Sequence, residues 1–412
     1  MGSGGLRRVV VTGLGAVTPI GNTVAEFWAG CRRAQVGVGP LAFPIEDLKI
    51  QIAAHVKDFD PKTRLKSFRR DKAIQYADRY SWLAAAAADE AVTMARLEMP
   101  FQDPYRVACI IGSGGAGLVA MEDAYRDLFI KKKKATNPMT LIRIIGSSGA
   151  AHVGIEFGVK GPVFATCSAC STAAHAIGVG RDYIRHGLVD VAIAGASESV
   201  ITYGTMRAWQ AMHVLSPEGI FPFAKRRNGT VLGEGAGILV LESFEHAKAR
   251  GATILAEVVG FGMTSDSKDM VNPDIEGPRE AMRLALDDAR LAPTEIDYLN
   301  AHGTATAIND LNETNAIKEV FGGHAKKLAI SSTKSMHGHP LGAGGGIEAV
   351  ACIKAMRESW VPPTAGLDEP GEGCDLDYVP NVGREQRVTY AMSNSFAFGG
   401  LNAVLVFGPP PA

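Results

Sequence analysis

Pro162-Val-Phe-Ala-Thr-Cys-Ser-Ala-Cys-Ser-Thr-Ala-Ala-His175 begins with apolar residues suited to a strand and passes through small ones into a helical stretch. A strand or loop runs into Cys170, and a helix continues to about His186. An entry made of Ser, Thr and Ala suits a helix buried between two sheets better than one on a surface. A cysteine at such a helix N-terminus has its thiolate stabilised by the dipole and the free N–H groups, which predicts a lowered pKa and a nucleophile. The same N–H groups can hold an oxyanion. The plainer reading is that Cys170 is a small buried hydrophobe.

Outward from this window, strand-like runs alternate with helical ones. The strand candidates are 9–11, 107–111, 189–194, 238–241, 254–259, 298–301, 328–331, 388–392 and 403–407. Helical stretches are expected at 72–96, with five consecutive alanines at Ala84 to Ala88, and at 277–290, 311–320 and 345–357. This alternation is the pattern of an α/β protein. Residues 1–250 and 251–412 each supply strands, helices and a closing pair of strands, so two similar halves are expected.

Bulk composition narrows the function. The 412 residues are 46% hydrophobic and 21% charged, enough to bury a large core. Lys+Arg 42 against Asp+Glu 43 argues against a dedicated nucleic-acid binder. Six cysteines are too few for a disulfide framework, which points to a reducing, cytoplasmic setting. No apolar run approaches the ~18 residues of a membrane span. Arg7-Arg8 before Val9 to Ile20 resembles a signal peptide, but Thr12, Gly13, Gly15, Thr18 and Pro19 interrupt it, so it reads as a first buried strand.

Forty-seven glycines cluster in strings such as Gly112 to Gly117, Gly233 to Gly237 and Gly342 to Gly346, as loops around a buried site would. Gly112-Ser-Gly-Gly-Ala-Gly117 also fits the phosphate-cradling G-x-G-x-x-G, although a lone match is weak. Cys167-Ser-Ala-Cys170 could be a redox dithiol; a zinc site would need a second pair, and the other cysteines are isolated. His302 and His339 each follow an apolar strand and precede glycine, where α/β proteins commonly place catalytic groups. Alone, either would more often be structural. Together with an activatable cysteine they form a set that a hydrolase, transferase or condensing enzyme could use. His337-Gly-His339 lacks a nearby third ligand in sequence, so no metal is expected.

Four motifs stand in one order: Ser168-Ala-Cys170-Ser-Thr, His302-Gly-Thr-Ala-Thr, Thr333-Lys334-Ser-Met-His-Gly-His339-Pro-Leu-Gly-Ala and Asn394-Ser-Phe-Ala-Phe398-Gly-Gly-Leu-Asn402. Val10-Val-Thr-Gly-Leu-Gly-Ala-Val-Thr-Pro19 and Leu232-Gly-Glu-Gly-Ala-Gly237 support them. In this order and spacing the chain resembles the elongating β-ketoacyl-acyl carrier protein synthases of type II, from about residue 7 to 408.

That resemblance implies the thiolase fold, a five-layer αβαβα sandwich of two similar halves, and a homodimer, with a heterodimer with a paralogue as the alternative. It implies that Cys170 carries the acyl chain as a thioester. His302 and His339 would promote decarboxylation of malonyl-acyl carrier protein and hold the enolate oxygen. The N–H groups of Cys170 and Phe398 would hold the oxyanion. Lys334 and Glu348 would support the histidines, with Asp310 and Asn394 as further supporting residues, and Phe398 would be the gate. Gly114 and Gly115 would line the acyl tunnel, Gly115 standing where a bulky isoleucine is common, which predicts a wider or longer tunnel. Lys66, Arg69 and Arg70, and behind them Lys133 and Lys134, would dock an acyl- or malonyl-loaded acyl carrier protein by steering its acidic surface. No cofactor, nucleic acid or membrane insertion is implied.

The sequence departs from the pattern at Cys167, Ala305, His337, Ala397 and Leu401. These departures point to a specialised synthase for very-long-chain, polyene, nodulation-factor or polyketide acyl groups, and Ala397 in place of glycine predicts a stiffer gate loop. The rival is a non-catalytic chain-length-type partner, which would have lost the nucleophile that Cys170 retains. A thiol-redox protein would leave both histidines unexplained.

Overall fold

A computed structural model describes residues 5–43, 47–65 and 76–411. The first strand, β1 (Val9–Val17), is buried along its whole length. Its Gly13 and Gly15 lack the side chains that would collide with the backbone of Ala91 and Ala87, so helix α1 (Arg79–Ala95), with its run of alanines, lies directly on the strand. Asp78 caps α1 by accepting from Arg79 N at 2.6 Å.

Nine further strands complete the main sheet: β2 (Val107–Gly112), β3 (Val163–Phe164), β4 (Val191–Glu198), β5 (Gly235–Ser243), β6 (Ala256–Ser265), β7 (Tyr298–Asn300), β8 (Ala329–Ser331), β9 (Ala391–Ala397) and β10 (Leu401–Gly408). Their order is β8-β7-β9-β10-β6-β1-β5-β4-β2-β3. Read from the middle outward, one side is β1-β5-β4-β2-β3 and the other β6-β10-β9-β7-β8, the same order twice. Directions repeat as well. On each side the inner two pairings are antiparallel and the outer two parallel. The two sets join through a two-residue pairing, Val10 with Glu257 and Val11 with Ala256.

Helices cover both faces of each set. Helix α1 and α2 (Ser148–Phe157) cover the outer face of the first. Between the sets lie α3 (Thr172–Arg185) and, after the exposed α4 (Tyr203–Ala211), the last long helix of the chain, Gly344–Glu358. Helix α5 (Glu276–Ala289) packs on β6 and β10, and α6 (Ala307–Phe321) packs on α5; the Gly344–Glu358 helix is therefore α7. The layers read helix, sheet, helix, sheet, helix. Among the described residues, three large apolar cores fill the gaps between layers. The central one includes Val11, Ile177, Leu239, Val350 and Phe407, and the outer ones centre on the alanines of α1 and on Met282, Leu299 and Val404. This is the five-layer thiolase sandwich.

The expected strands are present; β1, β5 and β6 run longer because they continue through glycines that the pattern treats as breaks, while β7 and β8 are each one residue shorter than expected. The start expected for the first helix, residues 72–75, lies outside the described residues. Short β3 falls where a strand or loop was expected to run into Cys170, whereas helices α2 and α4 were not anticipated.

Candidate active site

Loops at the carboxyl ends of strands from both sets converge on one point. After β3 the chain turns through Ala169, held at φ 46°, into a single 3₁₀ turn, Ala169–Ser171, that leads into α3. This places Cys170 at the buried start of the helix, 7% exposed. The adjacent Ser171 hydroxyl is within hydrogen-bond distance of the carbonyls of Ser395 (2.8 Å) and Leu401 (2.7 Å), tying the cysteine turn to the strand ends around Phe398.

His339 follows β8 and a short helix, Lys334–His337. Its backbone is pinned by the glycine motif opposite: His339 N donates to Val231 O at 2.8 Å, and Gly233 N donates to His339 O at 2.9 Å. Its Nε2 lies 3.1 Å from the Cys170 sulfur. His302 follows β7, and its ring stands edge-on to His339 with centroids 5.5 Å apart. The Cys170, His302 and His339 ligand atoms all lie within 4.8 Å of one another. This spacing could suit a soft metal, but the buried Lys334 close to both rings disfavours a second cation there.

Burial and the nearby Lys334 hold both imidazoles well below their ordinary pKa, so both are neutral at physiological pH. Lys334 is ion-paired with Glu348 of α7, and both are fully buried. The expected lowered pKa of Cys170 is not found. Burial pushes its thiol up to about 12, with Lys334 acting in the opposite direction. The dipole argument considered the helix terminus and omitted desolvation, the larger effect in a closed site. The resting residue is a thiol beside a neutral imidazole.

Asp310 and Asn394 stand behind His302. Asp310 accepts from Phe223 N at 2.7 Å and Ala305 N at 3.2 Å. Asn394 donates to Glu313 at 3.1 Å. Glu313, which the sequence analysis missed, accepts from the N–H groups of His302 and Gly303 at 2.8 Å each. Its signal was present: Asp310-Leu-Asn-Glu313 puts two carboxylates one turn apart on a helix beside the histidine. Both are fully buried, and burial raises Asp310 to about 6 and Glu313 to about 7.

A cavity of about 420 Å³ reaches Cys170, His302 and His339 and is lined also by Phe398, Met270 and Thr304. Phe398 stacks on Trp209 of α4, centroids 5.6 Å apart. Ala397 is extended at φ −128°, so it needs no glycine conformation; the glycine-like backbone is at Gly399 (φ 79°) and Gly400 (φ 68°).

Gly114 and Gly115 do not line this cavity. A Cβ on Gly115 would come within 2.6 Å of Val200 and 2.9 Å of Leu118, which share an apolar cluster with Cys170. The G-x-G-x-x-G string directs its amides to Glu198. His337 points away from the reacting groups, toward Thr333 and the ring of Phe27. Cys167 is exposed, and both it and Cys170 are free thiols. Lys133 and Lys134 are exposed, Lys133 pairing with Asp127 at 2.9 Å, while Lys66, Arg69 and Arg70 lie outside the described residues.

Residues 6–247 match the family described as beta-ketoacyl synthase, N-terminal domain, and residues 255–368 match its C-terminal domain. The chain belongs to the β-ketoacyl synthase family. Among curated relatives of this synthase is nodulation protein E of Rhizobium leguminosarum bv. trifolii, 45% identical over 97% of this chain and 99% of that one. 3-Oxoacyl-[acyl-carrier-protein] synthase 2 of Coxiella burnetii is 42% identical over 97% and 98%. Among solved structures, the ishigamide ketosynthase/chain length factor superposes with a TM-score of 0.94 at 34% identity, over 98% of this synthase and 100% of that chain. A type II polyketide ketosynthase, AntDE, in complex with its acyl-carrier protein superposes with a TM-score of 0.90 at 32% identity, over 98% and 100%. Among the described residues, no helix is long and apolar enough to cross a membrane.

Proposed function

We propose that this synthase condenses an acyl group held on Cys170 with a malonyl group delivered by an acyl carrier protein, yielding a 3-oxoacyl-carrier protein and CO₂. The observation that carries the reading is one thiol and two neutral imidazoles around one point at the end of a cavity. In the first half-reaction the Cys170 sulfur attacks the acyl thioester. Its proton passes to the departing carrier thiolate, with the His339 Nε2–H beside the sulfur, and the chain remains as a Cys170 thioester. In the second, malonyl thioester loses CO₂. The electron pair of the broken C–C bond becomes an enolate, whose oxygen is held by N–H donors of His302 and His339. Its carbon attacks the acyl-Cys170 carbonyl; the new C–C bond forms, the C–S bond breaks, and Cys170 leaves as thiolate to be reprotonated. Decarboxylation supplies the carbanion without a strong base, so neutral imidazoles suffice.

The N–H groups of Cys170 and Phe398 hold the tetrahedral oxyanion. The Lys334–Glu348 pair keeps the histidines neutral, Asp310 and Asn394 support the His302 loop, and Phe398 separates the two half-reactions. The acyl chain enters the apolar cluster of Val200, Ile201 and Met206, with Gly114 and Gly115 along its wall. Lys66, Arg69, Arg70, Lys133 and Lys134 receive the carrier protein. The protein is cytoplasmic and dimeric, the end strand β3 supplying an edge for a second copy. Its halves divide at residue 250. The similarity to nodulation protein E supports a specialised acyl product.

The test is mass spectrometry of the Cys170 peptide after incubation with acyl carrier proteins of increasing chain length. A mass gain on Cys170 is expected, and Gly115→Ile, which crowds Val200 and Leu118, should shorten the best-loading chain. No adduct with any chain would instead favour the non-catalytic partner.

A further inference from the structure

A buried carboxylate that the condensation scheme leaves without a role lies beside the nucleophile. Glu198 ends β4 and is fully buried. One oxygen accepts from the Ser113 hydroxyl at 2.8 Å and from Gly115 N at 3.0 Å. The other accepts from Gly114 N at 2.8 Å and from Gly342 N at 3.0 Å. Three of these four donors are backbone amides, which can only donate. The Ser113 oxygen already accepts from Ala116 N at 2.8 Å, so its own proton is directed to the carboxylate. Burial raises the pKa of Glu198, and the four donors around its two oxygens act against that and fit the ionised form.

The segments gathered here are those that shape the nucleophile's surroundings. Gly342 is three residues after His339. A Cβ on Gly114 would lie 2.9 Å from the carboxylate and 3.4 Å from the carbonyl of Ala169, the residue before Cys170. A Cβ on Gly342 would lie 2.6 Å from Gly114 N and 2.8 Å from Glu198. The two glycine strings thus meet across one carboxylate. The arrangement also has a counterpart in the second half: β7 occupies the place of β2, and the amides of the loop after it are held by Glu313.

We propose that Glu198 is a positioning residue whose ionised carboxylate clamps the glycine loop 113–115 and the turn after His339 against Cys170, and whose charge adds to burial in disfavouring the thiolate of the unloaded nucleophile. Burial is the largest influence on that thiol; of the charged groups facing it, Lys334 favours the thiolate and Glu198 and Glu348 oppose it, beside the neutral His339 and His302. The proposal rests on Cys170 being the nucleophile but requires no carrier protein to test.

The experiment is the pH dependence of iodoacetamide alkylation at Cys170 in the full-length protein, followed by peptide mass, for wild type, Glu198→Gln and Glu198→Asp. Removing the charge should move the curve about half a unit toward acid, which is about threefold faster alkylation at a fixed pH on its rising limb. Glu198→Asp keeps the charge and should retain the wild-type curve, while its shorter reach speeds hydrogen exchange in the peptides holding Gly114, Gly115 and Gly342. An unshifted Glu198→Gln curve, or an equal shift in both variants, would overturn the electrostatic role. Should Glu198→Gln fail to fold, unchanged exchange in Glu198→Asp would overturn the clamp. Failure of wild-type Cys170 to load any acyl chain would count against the condensing function and leave these outcomes readable.

Discussion

His337 shows how a single departure from a family pattern can act on stability without entering the chemistry. It is fully buried, hydrogen-bonded through Nε2 to Thr333 Oγ1 at 3.1 Å, and its Nδ1 has no partner among the described residues. Burial and the nearby Lys334 hold it down to about 3. The unfolded chain protonates this histidine below about 6.5, whereas the folded chain does so only near 3. Its contribution is therefore undiminished above the unfolded value and is lost as pH falls through that window. Asp310 and Glu313 behave oppositely. Burial raises them, so the folded state holds protons that the unfolded state releases, and stability declines as pH rises toward 6 and 7 respectively. Comparing His337→Thr with wild type isolates one histidine from this background. Between pH 6 and 4, urea unfolding should show the variant losing about 1.4 kcal/mol less per pH unit. Identical slopes would mean His337 is protonated in the folded protein.

Packing between elements sets tighter limits than any side-chain pair. Helix α7 carries Glu348 toward Lys334, and it can do so because its first turn lies directly on β5. A Cβ on Gly346 would fall well inside 3.0 Å of the Gly237 backbone, where nothing flexible can yield. Gly346→Ala should therefore destabilise by about 3 kcal/mol, at the upper end for overpacking, and lower acyl loading by displacing Glu348. Gly323→Ala meets nothing within 4 Å and should stay within about 0.5 kcal/mol of wild type. Guanidinium unfolding of the two variants makes the comparison; equal stability would show that α7 can shift off β5 freely.

A docked carrier protein would meet the molecule as a whole, and the basic residues proposed to receive it are spread over distant parts of the chain. Lys133 is half exposed and shares Asp127 with Lys131. Paired surface lysines contribute little to folding, so reversing them tests docking with little effect on the fold. Lys133→Glu with Lys134→Glu should raise the KM for carrier protein several-fold at low salt, leave kcat nearly unchanged, and lose its effect as ionic strength rises and screens the charges. A KM equal to wild type at every salt concentration would place the docking surface elsewhere.

Much of this protein could be read from its residues. Alternating strand and helix runs identify an α/β chain, and small residues after Cys170 mark a helix between sheets. Four motifs in register single out Cys170, His302 and His339, which the fold brings together, because residues at strand ends need glycine and small neighbours that are visible locally. Other features depend on atoms brought together from distant positions. The glycines of β1 read as breaks until α1 is laid on them. The thiol of Cys170 looked activated by its helix until burial on all sides raised it. Glu313 had a local signal in its spacing from Asp310, but Glu198 has none, since it is defined by amides that the chain supplies from elsewhere: it receives Gly114 and Gly342 from loops in different halves. Local sequence encodes periodicity and residue chemistry, whereas desolvation and the sharing of one carboxylate among remote loops arise only when the two halves close on each other.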